Sequence, residues 1–163
     1  MYSSTSRTFN NIAKLIKTYD IKIDKIYEPL YLRPFQEVKL EGYIGLNLQI
    51  TEYGVAYIKL PNNLLEEFHV DAASPGNMIN NFNFIEEVLV WVFFTEDIKN
   101  ENIRVSARSR GPVINDTLSQ YNGGGHKYAS GARIKTMDES ELIINDLNLL
   151  CKKYKEGDSF ENK

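Results

Sequence analysis

Two short stretches of the 163-residue chain carry residue types suited to chemistry: Tyr121–Gly131, YNGGGHKYASG, and Arg104–Arg110, RVSARSR. Glycine loses more conformational freedom on folding than any other residue, so Gly123, Gly124 and Gly125 in succession need a physical reason. Freed of Cβ atoms, their N–H groups can converge on an anion and let a ligand approach the main chain. The competing reading is a ligand-free helix-to-strand turn, because glycine also ends helices. His126 directly follows, and it is one of only two histidines.

The charges nearby point the same way. From Arg104 to Lys135 stand Arg104, Arg108, Arg110, Lys127, Arg133 and Lys135 against the single acid Asp116, in a chain of net charge −3. If 102–110 is a strand, period-2 alternation puts Arg104, Ser106, Arg108 and Arg110 on one face. Guanidinium forks match phosphate oxygens in a bidentate way. A solvated basic face is the alternative. No GxxxxGK[ST] phosphate loop exists. His69-Val70-Asp71 could form a metal pair, but no acidic cluster accompanies it and Asp71 suits a helix start. Tyr121 and Tyr128 flank the glycines and can either stack on a base or fill a core.

The rest of the chain must position these residues. Thr5 and Ser6 suit a helix start before the stripe Phe9, Ile12, Ala13, Ile16. Residues 21–45 read as short helical pieces around Pro29 and Pro34, and GLNLQI (45–50) with GVAYIKL (54–60) as a hairpin turning at Gly54. Residues 63–85 suggest two short helices around a break at Ser74-Pro75-Gly76. VLVWVFFTE (88–96) is apolar on both faces, as expected of a central strand. A helix over 112–122 begun by Pro112, one helical turn over KYAS, a strand at SGARIKT and a final helix follow. Asp138 and Glu141 fit a capping box for that helix, with Ile143, Leu147, Leu150 and Tyr154 as its inner stripe. The expectation is an α/β fold: a mixed sheet of about five strands flanked by helices, preceded by an N-terminal helix.

Composition sets outer limits. A 42% hydrophobic, 25% charged chain is globular, and a pI near 5.5 excludes a surface built for long duplex nucleic acid. One cysteine, Cys151, and no apolar run longer than seven residues point to a reducing, cytoplasmic setting without a membrane span.

VSARSRGPVINDTLSQYNGGGHKYASGARI resembles the C-terminal substrate-binding, DHH-associated domain of the DHH phosphoesterase superfamily. The matching parts are Arg108-Ser109-Arg110, Gly123-Gly124-Gly125-His126 and Ala129-Ser130-Gly131. The likeness is nearer to the nanoRNase and pAp (adenosine 3′,5′-bisphosphate) phosphatase type, and YSSTSRTF resembles the stretch leading into its linker helix.

The resemblance implies residues 1–45 as a helical linker with the end of a catalytic domain, 46–155 as the substrate-binding domain and 156–163 as a frayed tail. It implies a substrate site of Arg108, Ser109, Arg110, Asn122, Gly123, Gly124, Gly125, His126 and Ala129. His126 would contact phosphate or base. The partners implied are short single-stranded RNA or a pAp-like nucleotide and the protein's own N-terminal catalytic domain, with a homodimer compatible. Manganese would be held in that other domain and none by this chain, which lacks the Asp-His-His motif; no catalytic residue is expected here. A non-catalytic module binding single-stranded RNA or a nucleotide is the alternative function, and an assembly domain with structural glycines a third.

Overall fold

The computed structural model describes residues 4–161 and divides after Pro34 into two compact units. In the first, α1 (Ser6–Tyr19) starts at Thr5, whose hydroxyl accepts from the Thr8 N–H while the Thr8 hydroxyl accepts from Thr5 N–H. Left-handed Asp20 ends it, and α2 (Ile23–Tyr31) follows. Neither helix buries a residue.

The second unit begins with α3 (Phe35–Asn47), which buries Leu40 and Ile44. Those two side chains tie α3 to the second unit, so the expected division near residue 45 moves to Pro34. Helix also takes residues 45–47 from the expected hairpin. What remains is β1 (Gln49–Ile50) antiparallel to β2 (Val55–Leu60). Gly54 turns it at φ 93°, where a Cβ would sit 2.7 Å from the Glu87 carbonyl.

Next come α4 (Asn62–Glu67), α5 (Ser74–Met78) and a 3-10 turn, Ile79–Phe82. Pro75 lies in the first turn of α5, so Ser74-Pro75-Gly76 starts a helix where a break was expected. Then follow β3 (Val90–Asp97), β4 (Asn102–Ser109), α6 (Asn115–Ser119), β5 (Gly124–His126), β6 (Ala129–Ile134) and α7 (Ser140–Glu161). Helix α6 is shorter than expected and starts after Pro112. KYAS is no helical turn: it closes the tight β5–β6 hairpin, with His126 opposite Ala129. The box before α7 is formed by Thr136 and Glu139, two residues upstream of the expected pair. The backbone of α7 continues to Glu161 through most of the expected tail, and residues 162–163 lie outside the described residues.

The six strands are ordered β1-β2-β3-β4-β6-β5, with β2 and β3 parallel and every other pair antiparallel. The sixth strand is the short GGH segment. Two cores lie on opposite faces. Val92, Phe94, Val105, Ala107, Leu118, Ile143, Leu147 and Cys151 belong to the α6–α7 side, and Leu40, Ile58, Leu65, Ile79, Trp91 and Phe93 to the α3–α5 side. Trp91 Nε1 donates to the Ile79 carbonyl at 2.8 Å, fixing the 3-10 turn on β3. No described helix is long and apolar enough to cross a membrane.

Two carboxylates hold local turns. Buried Asp97 accepts from the Asn100 side chain and backbone, which draws its pKa down; weaker contributions come from Arg104. Asp71 accepts from the N–H groups of Ala73 and Ser74, with the same direction of shift. Depressed carboxylate values contribute stability above the unfolded pKa of about 3.9, lost as pH falls through the folded values. The urea midpoint should therefore fall between pH 5 and pH 2.5, and the double variant Asp71→Asn/Asp97→Asn should start lower and decline less steeply. Parallel declines would show that other groups govern acid unfolding.

Candidate nucleotide-binding face

The strand β4 alternates as expected up to its end. Ile103, Val105 and Ala107 point into the α6–α7 core, which leaves Arg104, Ser106 and Arg108 on the other face. Register then extends each row across the sheet: Arg104 faces Arg133, Ser106 faces Gly131 and then Gly124, and Arg108 faces Ala129 and then His126. On this face the helices cover β2 and β3, whose Ile58, Trp91 and Phe93 are buried. Arg108, Ala129 and His126 stay partly or fully exposed. The result is a sheet floor beside a helical wall. The wall approaches closely, since a Cβ at Gly76 would lie 3.3 Å from Ser106 Oγ.

Arg108 is held by that wall. Its Nε donates to Asn80 Oδ1 at 3.2 Å and one terminal nitrogen donates to the Ala107 carbonyl at 2.9 Å. Burial pushes its pKa below the ordinary value, yet an arginine stays protonated in a protein. A fixed, partly desolvated cation with unused donors suits a phosphate oxygen.

Arg110 does something else. β4 ends at Ser109, and the Arg110 side chain donates to the carbonyls of Asn83, Ile85, Glu86 and Val88, closing the 83–88 loop. The Arg110 N–H still meets the Leu89 carbonyl at 2.9 Å, in register with the β3–β4 ladder, so the backbone alternation carries on while the guanidinium is committed to the loop. Ser109 Oγ is likewise internal, donating to the Pro112 carbonyl and accepting from Gly111 N–H. Tyr121 turns to α7, where its hydroxyl donates to Asp146; burial and that carboxylate raise its pKa to about 12. Tyr128 remains exposed at the hairpin tip. Asn122 takes the left-handed conformation at φ 53° and leads out of the α6 turn.

The three glycines have three different neighbourhoods. A Cβ at Gly123 would fall 2.3 Å from the Gly131 carbonyl and 2.4 Å from that of Leu118, so close packing requires glycine there. Gly125 has φ 144° and would strike the Ala129 carbonyl. At Gly124 a Cβ meets nothing within 4 Å. Only Gly124 opens onto the face.

Sequence reasoning missed Asn80, which lies on a 3-10 turn with no periodic signal. It also undervalued Ser106 and Gly131, both recoverable from period 2 once Arg108 is placed. Among the described residues no three His, Cys, Asp or Glu come together as a metal site, and Asp71 of the His69–Asp71 pair serves as a backbone cap. A groove of about 430 Å³ at the opposite sheet edge gathers Tyr43, Asn47, Tyr57 and Lys59, but Lys59 is already paired with Glu141.

Residues 52–153 match the DHHA1 domain. The chain belongs to the DHHA1 family. It is 36% identical over 152 residues to the bifunctional oligoribonuclease and PAP phosphatase NrnA of Bacillus subtilis, covering 93% of this chain and 48% of that protein. An exopolyphosphatase-related protein from Bacteroides fragilis superposes with a TM-score of 0.81 at 27% identity, over 94% of this chain and 45% of its own. A pGpG-specific phosphodiesterase from Vibrio shares the fold with a TM-score of 0.58 at 16% identity, over 90% and 51%. This DHHA1 chain thus spans about half the length of the curated relatives it matches.

Separate roles for the glycines and arginines can be tested by stability alone. Gly123→Ala should cost about 1–3 kcal/mol through overpacking, while Gly124→Ala leaves the melting temperature nearly unchanged. Arg110→Gln should destabilise by about 1–3 kcal/mol through lost charge-assisted bonds. Thermal unfolding of the three variants checks this, and equal effects at Gly123 and Gly124 would contradict the assignment.

Proposed function

We propose that this chain is the substrate-recognition half of a phosphoesterase acting on short oligoribonucleotides, adenosine 3′,5′-bisphosphate, or both. The observation that carries the reading is the row Arg108–Ala129–His126 on an open floor beside Asn80. Arg108 binds a phosphate through its free guanidinium donors. His126, exposed at the end of the row, donates to the same phosphate or to a base edge. Gly124 lets a ribose or base lie against the main chain. Asn80 both aims Arg108 and offers its amide to the ligand.

Kinship with relatives named for oligoribonuclease and PAP phosphatase activities supports the substrate class. In this reading the hydrolytic step belongs to a manganese-holding part of the whole protein. The donor set described above does not fit such ions, so this chain's contribution is to bind and orient the substrate.

Calorimetric titration of the chain with adenosine 3′,5′-bisphosphate and with 5′-phosphorylated diadenylate tests this directly. Wild type should bind, and Arg108→Ala should weaken binding by about 10- to 100-fold, the equivalent of one or two charge-assisted bonds. Gly124→Val should weaken it without lowering the melting temperature, and Arg110→Gln should lower the melting temperature without changing affinity. Absence of binding, or an unaffected Arg108→Ala variant, overturns the proposal.

A further inference from the structure

Arg104 and Arg133 stand directly opposite each other on the same open face. Cross-strand partners have Cβ atoms about 4.5–5.5 Å apart, and like charges so placed destabilise a sheet. Compensation is partial. Asp97 Oδ2 meets one nitrogen of Arg104 at 3.5 Å, and Asp71 also lowers the local potential, although its Oδ1 is committed to Ala73 and Ser74. Arg133 is exposed, and among the described residues its guanidinium has only the Ala132 carbonyl, at 3.4 Å. A repulsive pair kept on an uncovered floor breaks a local rule without an internal gain, which marks it as a ligand site.

The position of this pair is informative. Arg104 precedes Arg108 by four residues, about 13 Å along β4. Between them lies the row Ser106–Gly131–Gly124, which has one small hydroxyl and no other side chain. A smooth strip of backbone thus separates two cationic ends. The two phosphates of a single nucleoside bisphosphate, like neighbouring phosphates of a strand, lie closer together than these ends, whereas phosphates two nucleosides apart in an oligonucleotide can reach both.

Resting on the proposed function, we propose that Arg133, with Arg104 beside it, is a second anion subsite that receives a further phosphate of an oligoribonucleotide whose terminal nucleotide lies at Arg108 and His126. The subsite selects for length. Asp97 holds Arg104 from one side and leaves its other donors toward the floor, while exposed Arg133 supplies the mobile cation.

The test compares adenosine monophosphate and 5′-phosphorylated triadenylate binding to the full chain, wild type and Arg133→Ala, from 50 to 300 mM salt. Arg133→Ala should leave monophosphate affinity unchanged and lower triadenylate affinity about 5- to 20-fold. Its plot of log affinity against log salt for triadenylate should be shallower by about 0.7, the loss of one phosphate contact on a single strand. Arg133→Lys should restore most of the affinity. Equal losses for both ligands would show diffuse electrostatics, and no loss for either would remove the subsite; both overturn the proposal while leaving the Arg108 site standing. If wild type binds neither ligand, the proposed function fails and the subsite falls with it.

Discussion

The register between β4 and β6 is the constraint on which the rest of the site depends. Ile103 opposite Ile134 and Val105 opposite Ala132 go into the core, and Arg104, Ser106 and Arg108 are therefore sent to the other face. Each large apolar side chain buried on the core face contributes about 1.5–3 kcal/mol. A slip of one residue would exchange the two faces and bury guanidinium groups without partners. Gly123 reinforces the register, because its bare Cα fits against the Gly131 carbonyl and the Leu118 carbonyl at once. The same hydrophobic alternation that stabilises the sheet thus spaces the cations.

A second asymmetry turns that face into a crevice. Helices α3 to α5 and the 3-10 turn cover β2 and β3 but stop at β4, where Asn80 and Gly76 form the edge. Had the helices continued over β6, the arginines would be desolvated and costly. Had they stopped earlier, Trp91 and Phe93 would be exposed. Loop 83–88 connects the wall to β3, and Arg110 holds it by its carbonyls. One arginine of the RSR triplet therefore faces the floor while the other maintains the wall.

Much of this was legible where one period dominated. The apolar run of β3 announced a central strand, β4 alternated through Arg108, and the stripe of α7 named Ile143 and Leu147 as core. Legibility failed where tertiary partners decide. Arg110 continued the alternation, and its N–H does meet the Leu89 carbonyl in register with the ladder, but its side chain is taken up by the carbonyls of the 83–88 loop. KYAS had a helix-compatible composition, yet Lys127 and Tyr128 offer their carbonyls to the N–H groups of Ile114 and Ser109, which holds the segment as a hairpin tip. Residues 45–47 alternate well enough for a strand but extend α3, whose burial of Leu40 and Ile44 outweighs local propensity.

The run of three glycines divides one motif among different physical demands. Gly123 is required by packing, Gly125 by a backbone angle that other residues resist, and Gly124 by neither. A structural requirement alone would accept alanine or serine at the middle position, since a side chain there meets open space. Glycine at that one position leaves the main chain bare in the same row as Ser106 and Gly131, between the two cationic ends. The outer glycines build the hairpin that presents it. The fold therefore requires glycine at the two outer positions and leaves the middle one free of that requirement.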